Sequence, residues 1–289
     1  MSAFPAILDL GRRPLVMGIV NMTPDSFSGD GLLSHPNYVT AAVAQAEQMV
    51  ADGADILDIG GESTRPGAEP VEAEEERQRV VPVIAALHAK MPQVPLSVDT
   101  MKPNVAAEAL EAGACIINDV SRTKQDKAML ALAASTGVYI VLMHNRTMEG
   151  LVTVTPGLGS EYHAPVYENI VSDVMRDLRA LANRAKDVGI PTDRIILDPG
   201  FGFGKTVEQN LLLINELDKL KSLGYPLLAG PSRKSFIGRV LEAPPEDRLE
   251  GTAATIAICA LRGASILRVH DVKEMTRIVK MVSAIKSAA

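Results

Sequence analysis

Residues 95–120, PLSVDTMKPNVAAEALEAGACIINDV, contain the repeating unit that decides the fold of this chain. An apolar run of strand length ends in a polar cluster at 95–100, and a segment with helical periodicity follows at 103–111. Gly113 indicates the left-handed residue that ends this helix. A second apolar run, 115–120, begins directly afterwards. The stretch therefore predicts a strand, a helix and a second strand, as in a parallel βα unit.

The same unit recurs along the whole chain. Strand-length apolar runs occur at 15–21, 55–64, 95–100, 115–120, 138–144, 195–200, 226–234 and 266–270. Helical patterns follow them at 37–52, 72–90, 103–111, 126–135, 165–188, 207–222, 246–261 and 271–288. Eight βα units in 289 residues are typical of an α/β fold, the (β/α)₈ or TIM barrel. We expect a single domain over 1–289 whose strand ends converge on one mouth, near Asn21, Gly60, Asp99, Asn118, His144, Asp198, Gly230 and His270.

Composition restricts the possible partners. The net charge of −6 argues against binding to nucleic acid or to an anionic membrane, because both favour basic patches. The apolar stretches 128–143 and 253–269 are interrupted by polar residues and glycine, so neither predicts a membrane span. Cys115 and Cys259 are too few for a zinc site and indicate buried free thiols. Together with the lack of a signal-peptide pattern, these features predict a cytoplasmic protein.

Polar side chains occur at several predicted strand ends, where the active sites of barrels lie. Asp99, Asn118 and Asp198 supply two carboxylates and one amide. Such a group could hold a metal ion, act as acid and base, or bind a heterocycle that presents several N–H donors. The residues alone leave these three possibilities open.

Cations are concentrated near the ends of the last two predicted strands. Arg268 and His270 are two residues apart, so they lie on the same side of their strand and suit a phosphate group. Lys234 follows the preceding strand in the segment SRKS, 232–235. On a negatively charged chain, these cations predict an anionic substrate. The alternatives are an arginine paired with a core carboxylate, a hydrogen-bonded core histidine and a solvated basic turn.

Three loops extend from the predicted mouth. Segment 198–206, DPGFGFGKT, matches neither the P-loop, which requires glycine where Pro199 stands, nor the dinucleotide-binding glycine spacing. Its backbone N–H groups can still face a ligand, although an ordinary glycine-rich turn is the alternative. The long connections at 21–36 and 145–164 are typical of lids or binding loops.

Eight motifs resemble those of the dihydropteroate synthase family, and they occur in the family's order. They are NMTPDSFS, DIGGESTRPG, SVDT, IINDV, LMH, DPGFGFGK, SRKSFIG and RVHDV, spanning residues 16–272. The resemblance implies a (β/α)₈ barrel transferase of folate biosynthesis. The implied reaction joins 6-hydroxymethyl-7,8-dihydropterin pyrophosphate to p-aminobenzoate and releases pyrophosphate.

The resemblance also implies roles for individual residues. The implied pterin site comprises Asp99, Asn118, Met143, Asp198 and Lys234. The implied surroundings of p-aminobenzoate are Thr64, Pro66, Phe203, Lys234 and Ser235. The implied pyrophosphate site comprises Asn21, Arg65, Arg268 and His270. Asn21 would also ligate Mg²⁺, and the implied catalytic residues are Asn21, Lys234, Arg268 and His270.

Two other functions remain open from the sequence. A methyltetrahydrofolate-type corrinoid methyltransferase shares the acidic pterin pocket but needs no pyrophosphate clamp. The second is a catalytically silent pterin-binding barrel. The cations and the TPDSF sequence favour the synthase, whose family further implies a homodimer and competition between sulfonamides and p-aminobenzoate. Two loops depart from the family pattern: 28–31 is SGDG instead of SDGG, which leaves the role of Asp30 open, and 144–147 is HNRT.

Overall fold

The predicted barrel is confirmed. The computed structural model describes residues 8, 10, 13–23, 32–33, 37–63, 68–121, 127–147, 152–155, 158–162 and 167–288. In chain order, the strands in these ranges are β1 Leu15–Asn21, β2 Ile56–Gly60, β3 Leu96–Asp99, β4 Ile116–Asp119, β5 Tyr139–Met143, β6 Val152–Thr155, β7 Gly159–Tyr162, β8 Ile195–Asp198, β9 Leu228–Ala229 and β10 Ile266–Val269. Eight of them form a parallel sheet in the order β8-β5-β4-β3-β2-β1-β10-β9. A parallel bridge between Leu197 and Leu227 joins its outer strands, so the sheet is nearly closed.

Helices connect the strands, largely as predicted. Within the described ranges they are α1 Tyr38–Ala51, α2 Ala73–Lys90, α3 Pro103–Glu111, α4 Lys127–Thr136, α5 Ile170–Asp187, α6 Val207–Asn215, α7 Ser235–Leu241, α8 Leu249–Leu261 and α9 Val272–Ser287. The helix predicted for 207–222 changes to a 3₁₀ helix at Leu217–Leu223. Helix α7 was not predicted, because it is short and a glycine in its middle weakens the helical signal. No helix in the described ranges has both the length and the apolar character needed to cross a bilayer.

A hairpin occupies part of the long connection predicted at 145–164. Strands β6 and β7 pair in antiparallel fashion, which the sequence analysis did not anticipate. Arg239 of α7 donates to Thr155 Oγ1 at 2.9 Å, and the buried Arg248 donates to the carbonyl of Leu158 at 3.1 Å. A strand is hard to predict from the sequence here, because the exposed side chains of β6 do not alternate with buried ones.

The barrel interior is layered, and this layering positions the functional site. Its lower part is an apolar cluster that includes Leu15, Met17, Ile56, Ile116, Tyr139, Val141, Ile196, Leu228 and Ile266. Side chains two positions apart on a strand face the same side of the sheet. The next inward layer therefore includes Ile19, Asp58, Asn118, Met143, Asp198, Gly230 and Arg268, of which four are polar or charged. The polar layer lies toward the C-terminal ends of the strands, as expected for a barrel active site.

Candidate active site

A pocket opens at the C-terminal ends of the barrel strands. It is lined by Asp99, Asn118, Val120, Met143, Asp198, Gly200, Phe201, Phe203, Gly230, Lys234 and Arg268. The lining contains every residue implied for the pterin site, together with Phe203 and Arg268. The expected convergence of these residues is confirmed, whereas their individual roles in binding stay predictions.

Arg268 of β10 forms ion pairs across the mouth of the barrel. Its Nε donates to Asp58 Oδ2 at 2.6 Å, and its Nη2 donates to Asp99 Oδ2 at 2.7 Å. Burial opposes the arginine's charge, but these two carboxylates outweigh it and raise the pKa of Arg268. No hydrogen bond joins Nη1 to another residue in the described ranges. Arg268 is therefore both a partner of core carboxylates and able to bind a further anion through Nη1.

Asp58 is a site residue that the sequence analysis did not identify. It is fully buried and accepts from Arg268 and, at 3.0 Å, from Asn118 Nδ2. Within the described ranges, Asp58 Oδ1 and Asn118 Oδ1 are buried without a hydrogen-bond partner. Asp58 lies inside β2, two residues before the predicted strand end at Gly60, and not at the strand end itself. The signal that identifies it is its spacing of two residues from the inward-facing Ile56.

Asp198 and Asp99 are carboxyl groups with perturbed acidity. Asp198 Oδ1 accepts from the backbone N–H of Gly200 at 2.6 Å. Burial raises the pKa of Asp198 to about 6, although this N–H and Lys234 act in the opposite direction. Burial likewise raises the pKa of Asp99 above its ordinary value, and Arg268 opposes the rise. Clusters of such perturbed groups in a cleft are typical of functional sites.

The glycine-rich loop after β8 forms one wall of the pocket. Gly200 and Gly204 have positive φ angles of 68° and 61°. An added Cβ would lie 2.0 Å from the carbonyl oxygen of His144 at the first position and 2.8 Å from that of Arg146 at the second. The loop thus packs directly on the segment after β5. It presents Phe203, whose ring lies 4.3 Å from Lys234 Nζ in a cation–π contact.

The other polar residues near the ends of the strands occupy different surroundings. Asn21 ends β1 at the level where β2 and β3 also end. His270 directly follows β10, and its Nδ1 lies 2.9 Å from Ser232 Oγ. Arg233 pairs with Asp271, so its charge is balanced outside the pocket. His270 therefore lies near Arg268 at the C-terminal end of β10, whereas Arg233 forms an ion pair with Asp271.

The expectation that His144 faces the mouth is wrong. Val141 belongs to the interior cluster and Met143 lines the pocket, so alternation along β5 directs His144 to the opposite side. His144 is fully buried near Tyr167, and its Nε2 lies 3.3 Å from Asp177 Oδ2 without hydrogen-bond geometry. Burial lowers the pKa of His144 to about 4, so the ring is neutral at pH 7.

The described residues cover only part of the implied p-aminobenzoate and pyrophosphate sites. Thr64, Arg65, Pro66 and Asp30 lie outside the described residues. Ser235 is half-buried at the start of α7 and is not part of the lining. The pocket lining therefore includes the implied pterin site more completely than the implied sites for p-aminobenzoate and pyrophosphate.

Comparisons with known proteins agree with this site. The family described as "Pterin binding enzyme" matches residues 17–270. A dihydropteroate synthase from Clostridium beijerinckii is 47% identical over 278 residues, which cover 96% of each chain. The Yersinia pestis dihydropteroate synthase, solved with a sulfonamide drug, is 42% identical with a TM-score of 0.87, covering 97% of this chain and 96% of that one. The Xanthomonas albilineans enzyme, solved with 4-aminobenzoic acid, is 44% identical with a TM-score of 0.85, covering 97% and 95%.

The match to the family and the acidic pocket at the mouth of a (β/α)₈ barrel define the class: this chain is a pterin-binding enzyme. The relatives named above narrow that class, since each is a dihydropteroate synthase and shares nearly the full length of the chain. The chain belongs to the dihydropteroate synthase family.

Proposed function

We propose that this protein joins 6-hydroxymethyl-7,8-dihydropterin pyrophosphate to p-aminobenzoate, forming 7,8-dihydropteroate and pyrophosphate. The observation that carries the proposal is the pocket in which Asp99, Asn118 and Asp198 lie beside Arg268 and Lys234. Carboxylate and amide oxygens suit a heterocycle with several N–H donors, and the cations suit a phosphate ester. The solved relatives with 4-aminobenzoic acid and with a sulfonamide drug support the identity of the second substrate and of a competing inhibitor.

The pterin is proposed to bind deepest, against the polar layer. Asp198 would accept from the amino group and a ring N–H, and the buried Asn118 Oδ1 is oriented to accept another hydrogen bond. Lys234 would donate to the pterin's oxygen and ring nitrogen. Met143, which is 2% exposed, supplies an apolar surface for the ring.

The pyrophosphate group is proposed to bind above Arg268. The Nη1 of Arg268 would donate to a phosphate oxygen while Nε and Nη2 keep their bonds to Asp58 and Asp99. His270 lies beside it, and Arg65 and Asn21 would complete the site. These groups would stabilise the negative charge that accumulates on the leaving pyrophosphate.

The proposed Mg²⁺ would accompany the pyrophosphate. In the described part of the chain, no group of three or more His, Cys, Asp or Glu side chains is arranged to hold a metal ion. Asn21 offers one amide oxygen, and Mg²⁺ commonly binds few protein oxygens together with substrate phosphates and water. This donor set fits a metal carried by the substrate. When bound, the ion would neutralise part of the leaving group's charge.

The p-aminobenzoate is proposed to bind nearer the entrance, against Phe203 and Lys234, with Thr64, Pro66 and Ser235 around it. The bond between the pterin methylene and pyrophosphate oxygen breaks with its electrons on the oxygen. The amino nitrogen forms the new C–N bond and releases a proton to solvent. No general base is required, because an aniline nitrogen is already neutral at pH 7. The protein orients the reactants and stabilises the departing charge.

The test is an assay of pyrophosphate release with both substrates, with each alone, and with Mg²⁺ omitted. We expect release only with both substrates, together with a product of the mass of dihydropteroate. Release without p-aminobenzoate would indicate simple hydrolysis. Pterin binding without any release would instead support a silent barrel, and transfer of a methyl group from methyltetrahydrofolate would support the methyltransferase.

We further propose a cytoplasmic homodimer. The free thiols of Cys115 and Cys259 are compatible with a reducing compartment. Helix α8 contacts α6 and α7, and all three carry exposed apolar side chains: Leu211, Leu212, Val240, Leu241, Ile258 and Leu261. Such a surface favours self-association. Sedimentation of the protein and of its Leu261→Glu variant tests this, since the variant should be monomeric.

A further inference from the structure

Lys205, the last residue of the DPGFGFGK motif, is a buried cation whose role the proposed reaction does not explain. Its side chain is 1% exposed, although a buried lysine is costly unless its charge is compensated. Its Nζ donates to three backbone carbonyls, those of Gly200 at 2.7 Å, Phe203 at 3.0 Å and His144 at 3.4 Å. Burial lowers the pKa of Lys205 to about 7, although Asp198 opposes the fall. In its protonated form the side chain has three N–H donors, and all three are directed at backbone carbonyls.

These carbonyls belong to two different segments. Gly200 and Phe203 lie in the glycine-rich loop after β8, and His144 lies directly after β5. The Nζ of Lys205 therefore ties the loop to the neighbouring strand end. The loop has little backbone hydrogen bonding of its own. Among the described residues, the backbone bond within it runs from the N–H of Phe203 to the carbonyl of Gly200 at 3.2 Å.

A second buried side chain, on the helix that follows the loop, also forms hydrogen bonds to the loop backbone. Asn210 of α6 accepts from the N–H of Gly202 at 2.7 Å and donates to the carbonyl of Thr206 at 2.7 Å. Lys205 and Asn210 thus fix consecutive parts of the loop. Between them, Phe203 projects toward Lys234, at 4.3 Å from its Nζ.

We propose that Lys205 is a positioning residue that sets the location of the Phe203 ring and thereby controls affinity for p-aminobenzoate and for inhibitors that occupy its site. The proposal rests on the proposed function, because it concerns the aromatic substrate's subsite. Among the described residues, the hydrogen bonds of Lys205 go to backbone carbonyls, and its charge acts on the pocket through longer-range interactions such as that with Asp198. Its effect should therefore be greater on the aromatic substrate than on the pterin, which is held mainly by side chains of the strands.

The experiment compares Lys205→Met with Lys205→Gln, and uses Lys219→Met as the matched control. Methionine retains the apolar stem but removes every donor, glutamine keeps two donors on a shorter side chain, and Lys219 is an exposed lysine paired with Glu216. We would measure kcat, KM for each substrate, the Kd of a sulfonamide by calorimetry and the Tm.

For Lys205→Met, we expect KM for p-aminobenzoate and the sulfonamide Kd to rise about tenfold or more, as expected when bonds to a charged donor are lost. The KM for the pterin substrate should change several-fold less. Lys205→Gln should give an intermediate value, and Lys219→Met should match the wild type.

Three results would overturn the proposal. The first is an unchanged p-aminobenzoate KM in folded Lys205→Met. It would show that Lys205 does not position Phe203. The second is an equal loss of affinity for both substrates, which would make Lys205 a support of the whole pocket. The third is loss of the folded state in both Lys205 variants, which would make Lys205 a general stability determinant. Sulfonamide binding does not depend on turnover. A wild-type protein that released no pyrophosphate would contradict the proposed function without deciding the role of Lys205.

Discussion

Asp58 and Arg268 are 210 residues apart in the chain, yet a 2.6 Å hydrogen bond joins their side chains across the mouth of the barrel. The bond spans β1, which lies between the strands that carry the two residues. Asp58 is fully buried and also accepts from Asn118, so one carboxylate orients both the cation and the amide of the pocket. Asp58 therefore connects the proposed pyrophosphate and pterin sites.

Replacing Asp58 by asparagine should lower both stability and activity. The variant leaves Arg268 with one carboxylate partner. The new amide N–H₂ either faces the N–H donors of Arg268 and Asn118 or is buried at the position of Oδ1, where the described residues offer no acceptor. Breaking a buried ion pair typically costs about 3–5 kcal/mol in the free energy of unfolding. Urea denaturation and steady-state kinetics would measure the two effects.

The matched control is Asp218→Asn, because Asp218 forms an exposed pair with Arg262 at 3.4 Å. Exposed pairs contribute about 0–1 kcal/mol, so this variant should behave as wild type. Equal stability of the two variants would show that the Asp58 pair is not important for the fold.

Arg268→Ala should reduce kcat more than it reduces pterin affinity. The arginine is proposed to act on the leaving pyrophosphate, and loss of one such electrostatic donor lowers the rate about 10²- to 10³-fold. The structure adds a second expectation, a lower Tm, because Asp58 and Asp99 lose their shared cation. Arg262→Ala is the exposed control. Near-normal turnover in the folded variant would exclude the leaving-group role.

Asp198→Asn should weaken pterin binding while stabilising the protein at alkaline pH. The amide oxygen can keep the bond from Gly200 N–H, which leaves the amide N–H₂ facing the pterin's donors. Loss of a charge-assisted pair costs about 1.5–3 kcal/mol in binding. Calorimetry with a pterin ligand measures this loss.

The stability effect follows from the raised pKa of Asp198, about 6 in the folded state. The unfolded carboxyl titrates near its ordinary pKa, so between the two values the folded state binds more protons. Stability from this group is complete at low pH and is lost as pH rises through about 6. The asparagine variant does not lose this stability. The Tm of the variant minus the Tm of the wild type should therefore be larger at pH 8 than at pH 4.

In the wild type, pterin affinity should fall as pH decreases below 6, because the Asp198 carboxylate becomes protonated. A pH-independent affinity would contradict this assignment.

Gly204→Ala should destabilise the protein more than Gly189→Ala. Both glycines have positive φ, 61° and 97°, so alanine is strained at either position. An added Cβ at Gly204 would lie 2.6 Å from the backbone carbon of Arg146, whereas nothing lies within 4 Å of one at Gly189. The strain alone costs about 1–2 kcal/mol, and the clash adds to it only at Gly204. Equal values of Tm in the two variants would mean that the loop moves away at little cost.

Much of this architecture could be predicted from local sequence. Gly113 was predicted to end a helix and has a positive φ, and the same holds for the glycines that precede other strands: Gly53, Gly137, Gly189, Gly224 and Gly263. Strand ends such as Asp99 and Asp198 follow from apolar runs that stop at polar residues. Both kinds of signal depend on neighbours in the chain, which is why they could be identified without a structure.

What could not be predicted depends on the direction of side chains and on distant partners. His144 directly follows its strand, as a residue at the mouth of the barrel would. The alternation of side chains along β5, however, places it on the helix side of the sheet, near Asp177. Whether Arg268 binds carboxylates or phosphate is decided by Asp58 and Asp99, which are far from it in sequence. For Lys205, the acceptors are backbone carbonyls, and these leave no trace in the residue pattern.

The apolar layer beneath the pocket makes the barrel a blind-ended chamber. Met17, Ile56 and Ile196 are completely buried there, so in the part of the chain that the structure describes these side chains close the floor of the pocket. Both substrates and both products must consequently enter and leave through the same opening, at the C-terminal ends of the strands. A pterin seated on the polar layer has to arrive before an aromatic partner that occupies the outer part, and p-aminobenzoate should bind tightly only once the pterin ester, or pyrophosphate with Mg²⁺, is in place. Tight binding of p-aminobenzoate to the empty protein, measured by calorimetry, would show that the two substrates bind in no fixed order.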